Sequence, residues 1–227
     1  MDESRVRNNR AYYEVLAPEY DNAVRNRYLV NEEVSLRLAR QSSLESIQSV
    51  LDLGSGTGAT LETVLKYTRP TSVVAVDFSG RMLELLKNKI SIPGLRTVQN
   101  DIDTYLANDS TRFDLITAIG GLELVPDPLK LMATINRHMA DDGLFIFTYE
   151  PQLVGMRDQS EASTTYTREL EGKTLEFSVF RANPKHVQQT LEAQKLEIVS
   201  NELVPAYPRG GSVVQYGLLV VRKPSVL

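Results

Sequence analysis

Apolar positions along this chain follow two rhythms. Short runs of aliphatic or β-branched side chains occupy residues 50–53, 71–76, 95–99, 113–118 and 144–148, and several end at an acid or a glycine. Between them the spacing changes: Leu61, Val64 and Leu65, then Met82, Leu83, Leu86 and Ile90, then Leu131, Met132, Ile135 and Met139 recur every three or four residues. The first rhythm is that of buried strands, the second that of helices with one apolar stripe. Their alternation predicts a mostly parallel sheet with helices on both faces. Asp127 before Pro128 supplies a helix start, as do Ser79 and Gly80, and Asp142-Gly143 supplies a turn into the fifth strand.

Beyond residue 150 the pattern breaks. Residues 152–163 are polar and irregular, and Leu175, Phe177 and Val179 alternate as in a hairpin strand, with Glu171-Gly172 at its turn. Pro184 opens a last helix. Leu196, Ile198, Leu203 and Val204 form a sixth strand, and residues 213–221 a seventh, joined by a turn at Pro208-Arg209-Gly210-Gly211. So short a connection makes the last two strands antiparallel, because parallel neighbours need a long crossover. Residues 1–45 are polar with helical spacing, and Pro18 divides them into two or three short helices near Tyr12, Tyr13, Tyr20 and Tyr28. The expected organisation is a helical cap over residues 1–45 and an α/β domain over 46–227. Residues 152–183 form an insertion that either walls an acceptor pocket or makes an oligomer contact, which leaves a homodimer open.

Composition narrows the class. The 227 residues are enough for one ample domain, and 42% hydrophobic with 24% charged residues excludes a fibrous or disordered chain. A formal charge of -4 argues against nucleic acid as a partner. Cysteine is absent, so disulfides, thiolate nucleophiles and sulfur-ligated zinc are excluded. With neither a signal-peptide pattern nor an apolar run of about 20 residues, the expectation is a cytoplasmic protein without a membrane partner.

The candidate chemistry centres on residues 50–58, Val-Leu-Asp-Leu-Gly-Ser-Gly-Thr-Gly. A strand that stops at alternating glycines before a helix makes a nucleotide cradle, since main-chain N–H groups there can approach a ligand. Gly54, Gly56 and Ala59 satisfy the dinucleotide pattern G-x-G-x-x-[GA], which would make this a nicotinamide-dependent oxidoreductase. Asp52 favours another ligand, because a carboxylate two residues before the first glycine repels a pyrophosphate and attracts a cationic amino-acid tail. Asp77 closes the second strand, beside the first, where an acid can accept both hydroxyls of a ribose.

Asp52 with Gly54, Gly56 and Gly58 resembles motif I of the class I S-adenosylmethionine-dependent methyltransferases. Residues 13–21 resemble the Y-D-x-x-A…Y-D segment that precedes it in the small-molecule branch of that family. The resemblance implies a Rossmann-like seven-stranded sheet, S-adenosylmethionine as cofactor and a small-molecule acceptor methylated on oxygen, nitrogen, carbon or sulfur. Ser55 and Ile119 would join the glycines around the cofactor, Phe78 and Met82 would flank the adenine, and Asp101 with Ile102 would bind it. Tyr13 and Tyr20 would close over cofactor and acceptor, or simply glue the cap to the core. In relatives that methylate hydroxyl groups, the phrase after the fourth strand often runs Leu-Glu-His-Val-Pro-Asp; here Leu124 replaces the histidine. That departure leaves Glu123 as a candidate proton acceptor and keeps a non-catalytic binding module of the same fold as an alternative. His186 at the start of the last helix is a second catalytic candidate, whereas His138 reads as a solvated or capping residue. Arg181 and Arg209 would either neutralise an acidic acceptor or sit in water. Glu123 and Glu150 without a third ligand do not make a magnesium site.

Overall fold

The computed structural model describes residues 3–23, 29–41, 44–156, 159–209 and 211–225. Tyr28 and Gly210 lie outside the described residues. The cap comprises α1 (Glu3–Leu16), a 3-10 turn at Ala17–Glu19 around Pro18, α2 (Tyr20–Ala23) and α3 (Val30–Ala39). The α/β succession follows as β1 (Ser49–Leu53), α4 (Ala59–Tyr67), β2 (Ser72–Asp77), α5 (Gly80–Lys89), β3 (Leu95–Gln99), α6 (Ile102–Asn108), β4 (Phe113–Ala118), α7 (Pro128–Ile135) and β5 (Met139–Tyr149). The chain then forms the hairpin β6 (Ser163–Leu170) and β7 (Lys173–Phe180), α8 (Pro184–Ala193), β8 (Glu197–Arg209) and β9 (Ser212–Arg222).

Seven strands pair in the order β3-β2-β1-β4-β5-β9-β8. β1 to β5 are parallel, and β9 is antiparallel to both β5 and β8. The order reverses between β1 and β4, where successive crossovers leave in opposite directions and open a crevice at the carboxyl ends of the strands. Side-chain alternation divides the core. Leu51, Leu53, Val74, Val76, Ile116 and Phe145 pack against α6, α7 and α8, while Val50, Val73, Ala75, Leu115 and Ile146 pack against α3, α4 and α5. Both sets are buried, which is why the parallel strands lack a polar face. Helix starts match the sequence signals: Ser79 Oγ accepts from the Met82 amide at 3.2 Å, and Asp127 Oδ1 from that of Lys130 at 3.0 Å.

Three expectations fail, all beside β5. Met139 does not extend the stripe of α7, because a 3-10 turn at Asn136–His138 ends the helix and Met139 begins β5, paired with Phe113. Asp142 and Gly143 lie inside β5, not before it; Asp142 has φ 60°, and the register with β4 shifts between Phe113 and Leu115. The dipeptide thus makes a bulge in the strand. The same rearrangement buries His138, 2% exposed, with its ring nitrogens facing the carbonyls of Leu106 and Thr111 at 3.1 and 3.3 Å.

Glu171 and Gly172, at φ 50° and 70°, make the two-residue turn of the β6–β7 hairpin, a geometry that matches strand twist. α1 lies along this hairpin. Asn9 mimics a strand partner there, accepting from the Ser178 amide at 2.6 Å and donating to the Ser178 carbonyl at 3.0 Å. Tyr12 stacks on Phe177 with centroids 4.4 Å apart.

Gly217 pairs with Tyr149 between β9 and β5, and a Cβ there would stand 2.2 Å from the Tyr149 ring, itself 2% exposed. Gly217→Ala is expected to destabilise the protein by about 1–3 kcal/mol through overpacking, read as a lower denaturant midpoint. An unchanged midpoint would show that the ring moves freely.

Candidate active site

The carboxyl ends of β1 and β4 approach unusually closely. Gly54 has φ 71°, and a Cβ on it would lie 3.3 Å from the Gly121 Cα, so a side chain would crowd the opposite backbone as well as strain its own. Gly58, at φ 93°, heads α4, and a Cβ there would come within 2.9 Å of Ile90, the residue that caps α5. The loop is tied to β2 by bonds from the Gly54 and Ser55 amides to the Val76 carbonyl, at 2.8 and 3.0 Å. Asp77 completes the tie, accepting from the Gly56 and Ser79 amides at 2.8 Å each. Burial pushes its carboxyl up to about 6, opposed by these two bonds.

Asp52 lies beneath the loop. One carboxylate oxygen accepts from Thr117 Oγ1 at 2.6 Å, the other is buried without a partner, and burial raises the group to about 6. At 1% exposure it lines none of the clefts, so only its field, not its atoms, reaches them.

Most of the residues singled out from the sequence converge here. Tyr13, Tyr20, Gly54, Gly56, Asp77, Phe78, Met82 and Ile102 line one cleft. Asp101, Ile102 and Phe78 line its neighbour on one side, and Ser55 and Ile119 a third on the other. Gly58 supports the loop from behind. His186 is not brought to the site: it is exposed on α8, whose Val187 and Leu191 face inward, and it lines neither this cleft nor the next cavity. Gly120 and Gly121 complete the cleft and were missed, although their dipeptide at the end of β4 carried the same close-approach signal as Gly54.

The cap is fastened over this rim at three points. Arg10 pairs with Asp101 at 2.9 Å, Ser79 Oγ donates to Glu14, and Asp21 accepts from Thr57 Oγ1 at 2.5 Å while pairing with Lys89. Tyr13 sits between, its ring 5.8 Å from Phe78 and 6.3 Å from Tyr20. Burial raises both phenols far enough to keep them neutral.

A second cavity, about 320 Å³, opens on the far side of Tyr13 and Leu124, the two residues that line both spaces. The cap supplies Tyr12, the hairpin Tyr166, Arg168 and Phe177, and the last strands Tyr207, Arg209 and Tyr216. The 152–183 insertion is therefore a wall of this cavity. Glu123, 3% exposed, reaches it from the turn after β4, where Tyr216 donates to one carboxylate oxygen and the other is buried without a partner. Burial pushes Glu123 up to about 7, with the Tyr216 bond opposing. Behind it, Arg181 and Arg209 hold one oxygen of Glu150 at 2.7 and 2.9 Å.

Such a site, a glycine cradle with a buried acid at a topological switch point, belongs to an α/β protein whose sheet closes antiparallel and whose open crevice suits a nucleoside. Residues 23–197 match the family described as Methyltransferase domain, so the chain belongs to that family and is a class I S-adenosylmethionine-dependent methyltransferase domain. It is 30% identical over 137 residues to an uncharacterized protein of Methanocaldococcus jannaschii, covering 60% of this chain and 49% of that one. It is 28% identical over 112 residues to the malonyl-[acyl-carrier protein] O-methyltransferase of Halalkalibacterium halodurans, covering 48% and 41%. The chain thus spans about half the length of these relatives. Among solved structures, the DhpI-SAM-HEP complex superposes with a TM-score of 0.72 at 18% identity, over 99% of this chain and 100% of that one. No helix among the described residues is long and apolar enough to cross a membrane.

Because native Glu123 keeps its proton from the ordinary 4.5 up to about 7, the folded state binds more protons than the unfolded one across that window. Its contribution to stability is full below about 4.5 and lost as pH rises through about 7. Glu123→Gln cannot titrate, so its stability relative to the parent is expected to improve by about 3 kcal/mol from pH 4.5 to 8. Denaturant unfolding at both pH values reads this directly; parallel curves for the two proteins would contradict it.

Proposed function

We propose that this chain transfers the methyl group of S-adenosylmethionine to a hydroxyl oxygen of a small molecule held in the tyrosine-lined cavity. The observation that carries the reading is the junction at Tyr13 and Leu124, where a glycine cradle and a second cavity meet beside a buried carboxyl poised near neutrality. The residues present fit the cofactor: the Gly54–Gly121 approach leaves the strand ends open where a Cβ would fill them, and the buried Asp52 carboxyl beneath the loop would favour a cationic tail through its field. Asp77 would accept from the ribose hydroxyls, Phe78 and Met82 would flank the adenine, and Asp101 would bind its amino group with Ile102 against the ring. When bound, the sulfonium supplies an already activated methyl group.

What remains for the protein is alignment and exclusion of water. The cap would close the donor side with Tyr13 and Tyr20, and the insertion would complete the acceptor side. Glu123 would take the hydroxyl proton as the oxygen–carbon bond forms, the carbon–sulfur bond breaking with its electron pair left on sulfur. Tyr216 fixes the orientation of that carboxylate, and the missing histidine at Leu124 is replaced by its neighbour. The O-methyltransferase name carried by one relative supports oxygen as the acceptor atom. The division into a cap over 1–45 and a domain over 46–227 follows the same logic, and a cysteine-free chain suits a reducing cytoplasm.

Calorimetry is expected to show S-adenosylhomocysteine binding at sub-millimolar concentration, and Asp77→Asn is expected to weaken it by about 1.5–3 kcal/mol, the range for hydrogen bonds to a charged group. No binding to the parent protein would reject the reading. With labelled S-adenosylmethionine and a metabolite extract, Glu123→Gln should lower the rate of acceptor labelling about 10²–10⁴-fold, and the parent's rate should rise with pH to a plateau above about 7. Equal labelling by parent and variant would remove Glu123 from the chemistry.

A further inference from the structure

Resting on the reading of Glu123 as proton acceptor, we infer that Glu150 and Arg209 are positioning residues that govern the charge of Glu123, one opposing its ionised form and the other favouring it. The three groups come from separate elements. Glu123 stands in the turn after β4, Glu150 follows β5 and Arg209 ends β8. Two tyrosines connect them. Tyr216 of β9 donates to Glu123 and packs edge-on against Tyr207 of β8, with ring centroids 5.9 Å apart. The Tyr207 hydroxyl in turn accepts from Arg209 at 3.2 Å and donates to Glu150 at 3.4 Å, while Arg209 bonds Glu150 directly at 2.9 Å.

Neither charge can turn away into water. Glu150 and Arg181 are fully buried, Arg209 is 13% exposed, and Arg181 fixes Glu150 from the side away from the cavity by a bond of 2.7 Å. Charges held in this way are screened far less than surface ones, so they act on a third group through the intervening rings. The guanidinium of Arg209 cannot lose its proton, which makes its influence on Glu123 independent of pH.

Glu123 is pulled in two directions. To take a proton it must be charged, yet burial favours its neutral form. Burial pushes it up to about 7, the Tyr216 bond opposes this, and of the two charges Glu150 adds to the rise and Arg209 offsets it. The cap and the last strands otherwise turn phenols toward Glu123, and burial keeps Tyr13, Tyr20 and Tyr207 neutral. The hairpin brings Tyr166, whose ring lies 5.0 Å from the Arg209 guanidinium, and the charged residues Arg168 and Glu169, which are exposed at the mouth and screened by water. Removing the charge of Arg209 leaves the effect of Glu150 unopposed, so Glu123 then keeps its proton to higher pH. Removing the charge of Glu150 does the reverse.

The test follows Glu123 directly, by nuclear magnetic resonance of protein whose glutamates carry carbon-13 at the side-chain carboxyl; its signal is the one missing from Glu123→Gln. The midpoint expected in the parent is about 7. It should rise by about one pH unit or more in Arg209→Gln, stay within about half a unit in Arg209→Lys and Arg168→Gln, and fall in Glu150→Gln. A midpoint unmoved or lowered in Arg209→Gln, an equal rise in Arg209→Lys, which would trace the change to lost packing, or no titration of the parent's Glu123 between about pH 5 and 9 would overturn the inference. If one charge-removing variant misfolds, the other decides, since the two must move the midpoint in opposite directions. Labelling of a metabolite extract across the same pH range separates this coupling from the proposed base. Midpoints that move while the labelling profile stays defeat Glu123 as the base and support the coupling. Unmoved midpoints, beside a Glu123→Gln that loses labelling, defeat the coupling and leave the base.

Discussion

Everything at the ligand end of this sheet depends on how closely two backbones approach where β1 and β4 end. With Gly54 facing Gly121, the two loops part around a space instead of filling it, and the amides of the first loop bend across to the end of β2. That bend brings the Gly56 amide to Asp77, so the acid is placed by the main chain it would otherwise have to find. The switch in strand order makes a crevice available, and the paired glycines keep it open.

The central strands were legible because β-branched and aliphatic residues dominate them, and the closing hairpins because turn residues flank them. What periodicity could not show was where a helical stripe stops: Met139 continues the spacing of α7, yet strand pairing with Phe113 captured it, and His138 was buried by the same tight turn. Local propensity lost to tertiary pairing in both cases. In the site, the glycines and acids were readable because few other residues fit a close backbone approach or a strand-end acceptor. The Arg181–Glu150–Arg209 cluster was not, since its members are far apart in the chain and each looks like a surface charge alone. His186 failed for the opposite reason: nearness to a strand edge in sequence says nothing about which side of α8 it occupies.

The site also runs against the stability of the fold. Asp52, Asp77 and Glu123 are all buried, and burial raises each one's pKa. Such groups would be costly in an ordinary core, and they gather at a single edge of the sheet, as expected where function and stability compete. The apolar layers beneath, with Phe145 and Phe147 stacked 4.4 Å apart, offset that cost.

The fastening of the cap bears on turnover. Arg10, Glu14 and Asp21 grip the loops after β3, β2 and β1 respectively, so the N-terminal helices touch every loop that would surround a nucleoside. A cover attached to three separate loops cannot swing on one of them alone. Freeing those helices would break two ion pairs, Arg10–Asp101 and Asp21–Lys89, together with the Asn9 and Tyr12 contacts to the hairpin, so salt would weaken only part of the attachment.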